Sequence, residues 1–120
     1  MRFHLEEVDG EPEAVFEDAT EIERRLLPRF LLHAPHFVPD MLYEISLVER
    51  EAVESSGFET ALVDVQFLPD GVTITSRFKG AEESAPAQVV LSIDEAKLLL
   101  LEWGAEVLRW WRGKGLGELR

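Results

Sequence analysis

The sequence predicts an α+β domain: a mostly antiparallel sheet of five to six strands, two helices packed on one face, the second of them a long C-terminal helix. Three observations carry that prediction. Apolar and polar residues alternate in several short runs, two segments begin with Thr or Ser followed three residues later by Glu, and residues 93–112 place apolar side chains at helical spacing. The 120 residues fit a single domain, 1–120, long enough to bury a core without disulfides or metals.

The first two elements flank a turn. "RFHLEEV" and "EAVFED" stand on either side of "DGEP", which reads as two short strands tightly joined. In "DATEIERRLL", Thr20 is placed as an N-cap and Glu23 completes a capping box ahead of Ile22, Leu26 and Leu27. Pro28 lacks an amide donor and disfavours helical geometry at Leu27, so this helix is expected to stop near 27 or to continue with a kink. The two prolines of "HAPHFVPD" mark a connection. "MLYEISLVEREAV" sets Tyr43, Ile45 and Leu47 against Glu44, Ser46 and Val48, and is expected to be a strand.

The middle of the chain holds the clearest local signal. In "TALVDVQFLPDGVTITSRFKG", Val63, Val65 and Phe67 alternate with Asp64 and Gln66, and after "PDG" the apolar positions Val72, Ile74 and Phe78 resume. A hairpin is predicted, with Thr73, Thr75, Arg77 and Lys79 facing water. "GAEESAPA" is a polar loop and "QVVLS" a last short strand. Ser92 then caps the final helix, Glu95 completing a second capping box, and the glycines of "RGKGLG" end it after about Arg112.

That helix is apolar on two sides. At about 100° per residue, Ala96, Leu99, Leu100, Trp103, Val107 and Trp110 share one arc, with Ile93 and Trp111 at its edge. This arc is expected to cover the sheet, with Trp110 as a core residue at the far end. Leu98, Leu101, Ala105 and Leu108 make a second apolar arc opposite the first, and one sheet face cannot bury both. The first helix, through Ile22, Leu26, Phe30 and Leu31, is expected to lie against it. Otherwise Leu98, Leu101 and Leu108, with Trp111 as a half-exposed anchor, form a dimer or partner contact.

Acids outnumber bases by 24 to 12, for a net charge of −12. The excess is lopsided: residues 1–60 carry 15 acids and 5 bases, and residues 6–23 carry nine acids and no base. Such a chain is repelled by phosphate backbones and anionic lipid and attracted to basic proteins, so neither nucleic acid nor membrane is expected as a partner. With no cysteine, thiolate metal sites and thiol nucleophiles are excluded. No apolar run is long enough for a signal peptide or a bilayer span, and a cytoplasmic location is expected.

Catalytic patterns are lacking. His33 and His36 in "HAPH" are separated by Pro35, and no HExxH pattern or third ligand follows. "GKGLG" follows a helix, where a phosphate cradle would precede one, and "SSG" lacks the flanking glycine of a nucleophile elbow. No catalytic residue, metal or cofactor is therefore assigned. In size, acidity and lack of catalytic motifs the chain is similar to bacterial immunity proteins and antitoxins, which implies inhibition of a basic partner such as a nuclease-type toxin. The expected contact residues are Glu6, Glu7, Asp9, Glu11, Glu13, Glu17 and Asp18. The alternatives are a homodimeric chaperone or assembly factor using the C-terminal helix, and a small enzyme with His33, His36 and Asp40 in the 33–40 connection.

Overall fold

The computed structural model describes residues 2–32, 34–78 and 85–114, and the side chains of all of these except 34–36. In chain order it contains β1 (Phe3–Val8), β2 (Glu11–Phe16), α1 (Glu21–Leu31), α2 (Ala34–Glu49), β3 (Ser56–Glu59), β4 (Val63–Leu68), β5 (Gly71–Ser76), β6 (Gln88–Leu91) and α3 (Ile93–Gly113). The architecture is α+β with antiparallel strands and a long C-terminal helix. The strands divide into a β1–β2 hairpin and a β3–β4–β5–β6 meander, in place of the single sheet of five to six strands expected. Helix α1 lies across that division, packing against β2 and also against β4, β5 and β6.

Helices number three among the described residues, not two, because the segment expected to be a connection followed by a strand is α2. Alternation and helical spacing both fit this stretch: Met41, Ile45 and Val48 stand four and three residues apart, and all three are buried. Pro35 falls in the first helical turn, where no amide donor is needed. Pro39 lies inside α2 as Pro28 lies inside α1, and both helices continue past their prolines. Each loses one intrahelical hydrogen bond, which the buried side chains around it offset.

Both capping boxes form as expected. Thr20 Oγ1 accepts from Glu23 N while Thr20 N donates to Glu23 Oε1, and Ser92 with Glu95 repeats the arrangement. The meander buries one face: Val63, Val65 and Phe67 of β4, Val72 and Ile74 of β5, Val89 and Leu91 of β6. Ser76 takes the next inward position of β5, and Phe78, expected to continue the apolar side, lies past the strand end and is exposed. Gly71 has a local reason: a Cβ there would stand 2.8 Å from the Leu91 carbonyl oxygen.

One core cluster joins both sheets and all three helices. At its centre, Trp103 of α3 is buried and donates its indole Nε1–H to the Leu31 carbonyl, 2.7 Å away, satisfying an end of α1 that has no intrahelical partner. The Phe3 ring meets Trp103 edge-on at 5.9 Å and Phe16 at 5.5 Å, which ties the hairpin to the same centre.

Candidate partner-binding surfaces

The hairpin has two chemically opposite faces. Its register pairs Phe3 with Phe16, Leu5 with Ala14 and Glu7 with Pro12 on one side, and His4 with Val15, Glu6 with Glu13 and Val8 with Glu11 on the other. Ala14 and Phe16 are buried and Phe3 and Leu5 pack on the core, so the first set faces inward. Asp9 and Gly10 make the turn, both with positive φ (52° and 80°), the geometry that joins two strands through two residues and that Asp-Gly adopts readily.

Four of the seven expected contact residues gather on the outward side: Glu6, Glu11 and Glu13 on the strands, and Asp9 at the tip. Glu6 and Glu13 stand directly opposite each other, a like-charge pair that costs stability. Among the described residues no lysine or arginine forms an ion pair with these four. His4 lies between two of the acids, its Nε2 3.0 Å from Glu6 Oε1 and its Nδ1 3.4 Å from Glu17 Oε1. Glu17 and Asp18 are exposed in the connection to α1.

Glu7 does not belong to that group. It lies on the inward side, where Lys114 Nζ reaches its Oε1 at 2.6 Å and Trp110 Nε1 donates to the same oxygen at 3.1 Å. The Lys114 hydrogen bond and then that of Trp110 hold its carboxyl below the usual glutamate range, outweighing the opposing effect of lost solvent. Lys114 also lies 5.8 Å from the centroid of the Trp110 ring. Trp110 is thus half-buried in a clamp between α3 and the hairpin, not a core residue as its helical position predicts. The clamp is visible in the sequence only as a basic end of α3 and an acidic start of the chain, with nothing to say that they meet.

A shallow notch of about 230 Å³ opens between the hairpin and α1. Val8, Pro12, Pro28 and Leu32 supply its apolar wall, Glu11 and Glu13 its acidic side, and Arg29 also lines it. Sequence reading missed this feature, because it depends on how α1 docks beside β2.

Helix α3 buries Ala96, Leu99, Leu100, Trp103 and Val107, as its first arc predicts, while Ile93 and Trp111 are half-buried against the core. The second arc is not covered by α1, which turns Leu26, Leu27, Phe30 and Leu31 to the core and leaves Ile22 exposed. Leu98, Leu101 and Leu108 are 57%, 54% and 42% exposed. They form a row separate from Trp111, which lies nearer the buried arc.

For the 33–40 segment, His33 and the His36 side chain lie outside the described residues, and Asp40 is exposed on α2. Among the described residues no three His, Asp or Glu side chains converge as metal ligands, and no helix is long and apolar enough to cross a membrane. Comparisons with protein-family models, curated proteins and solved structures find no match for this chain.

Proposed function

We propose that this chain is a non-enzymatic binding protein that engages a basic protein through the outward face of the β1–β2 hairpin and neutralises it by covering it, in the manner of an immunity protein or antitoxin. One observation carries the reading: Glu6, Asp9, Glu11 and Glu13 share one side and the tip of the hairpin without a lysine or arginine partner among the described residues, although Glu6 and Glu13 repel each other there. Repulsion tolerated in a free surface is relieved when a partner's cations arrive, so binding gains what folding loses. The adjacent notch would take an apolar side chain of the partner against Val8, Pro12 and Leu32, with Glu11 and Glu13 on its acidic side left to the partner's cations and Arg29 opposing a cation inside it.

Affinity capture at low ionic strength tests this directly, with the combined Glu6→Gln, Glu11→Gln and Glu13→Gln variant as the paired bait. The expected result is a basic protein enriched on the unmodified chain, reduced on the variant, and released by physiological salt. A partner retained equally by both baits, or indifferent to salt, would assign binding to another surface.

A further inference from the structure

The outward face of α3 carries a row that no other element covers among the described residues. Asp94, Leu98, Leu101, Ala105, Leu108 and Arg112 follow one another at four, three, four, three and four residues, and all six are exposed. On a helix of about 100° per residue they fall within about 80° of arc, opposite the buried stripe. Alternating three and four is the spacing by which one helix seats on another. Moreover, the row begins with an acid and ends with a base. Asp94 and Arg112 lie on its centre line, five helical turns and about 27 Å apart, and neither forms an ion pair among the described residues.

We propose that this row is a self-association surface on which a second copy of the chain packs its own α3 antiparallel, across a twofold axis near its middle. In that arrangement Asp94 meets Arg112 of the second copy at both ends, Leu98 meets Leu108, and Leu101 meets Ala105. A parallel arrangement would set acid against acid and base against base. Charge complementarity along a single apolar row therefore selects both the occupant and its direction. Glu102 flanks the row near its centre, so the antiparallel arrangement brings it close to its own copy, a repulsion that limits affinity. The contact spans one helix face and belongs among small interfaces, below about 1,200 Å², so the dimer forms at high concentration rather than permanently.

Sedimentation equilibrium of the full chain at physiological ionic strength, up to about 1 mM, is expected to show monomer and dimer in exchange. Asp94→Arg and Arg112→Asp should each weaken the dimer about fivefold or more, and an equimolar mixture of the two should regain the original affinity, since the mixed dimer has opposite charges at both ends. Glu102→Gln should tighten it severalfold. All three positions are exposed, and thermal unfolding of each variant checks that the fold is kept. A chain that stays monomeric at that concentration overturns the proposal and leaves the row to a different partner. A dimer indifferent to both charge reversals, or a mixture no tighter than either variant alone, overturns the antiparallel arrangement.

Discussion

The two faces of the β1–β2 hairpin use the same kind of residue for opposite ends. On the inward face Glu7 is held by Lys114 and Trp110 and fastens the end of α3 to the hairpin, beside Phe3, Leu5, Ala14 and Phe16 in or against the core. On the outward face Glu6 and Glu13 stand opposite each other with no such cation among the described residues. The difference is one of register: in a strand, moving by one residue changes the side, and so decides whether a glutamate serves the fold or the surface. A run of acids in a sequence is therefore two populations once it is folded as a hairpin.

The largest effects should come from the inward face. Phe16→Ala removes a buried ring that touches Phe3, and is expected to lower unfolding free energy by about 3 to 5 kcal/mol in urea denaturation. A loss below about 1 kcal/mol would mean that the hairpin is not part of the core. Trp103→Phe keeps most of the apolar area but leaves the Leu31 carbonyl without its donor, so a loss of about 1 to 3 kcal/mol should appear in the same measurement.

Glu7 sharpens the contrast through pH. Its folded carboxyl titrates below its unfolded value, so the stabilisation it brings is complete above the ordinary glutamate range near pH 4.3, about where an unfolded glutamate titrates, and is lost as pH falls through the folded value. The stability gap between the unmodified chain and Glu7→Gln should accordingly be widest near neutrality and close on acidification. A gap that widens in acid would place Glu7 outside the clamp. The smallest effect has the opposite sign: Glu13→Gln relieves the facing charge of Glu6 and should raise stability by about a few tenths of a kcal/mol at low ionic strength, a gain that salt removes.

Much of this was legible in advance, and the reasons for the rest are physical. The β4–β5 hairpin, both capping boxes and the buried arc of α3 are local patterns, in which the residues that make the element also signal it. Helix α2 is ambiguous locally because Tyr43, Ile45 and Leu47 alternate while Met41, Ile45 and Val48 also repeat helically, and the prolines before them favour a connection followed by a strand. The separation into two sheets, the exposure of Leu98, Leu101 and Leu108, and the clamp on Glu7 all depend on where distant elements dock, which no local pattern records. Among the expected contact residues, alternation along the strands already separates Glu7 from Glu6, since Phe3 and Leu5 share its side.

The most direct test of the account is the association rate of the chain with its captured basic partner, followed across ionic strength by stopped-flow fluorescence for two variants. The Glu6→Gln, Glu11→Gln and Glu13→Gln combination should slow association about tenfold or more at low salt and flatten its salt dependence, while Glu7→Gln should leave both nearly unchanged. Equal slowing by the two variants, or none by the outward combination, would contradict the claim that the outward face of the hairpin is what this protein presents to its partner.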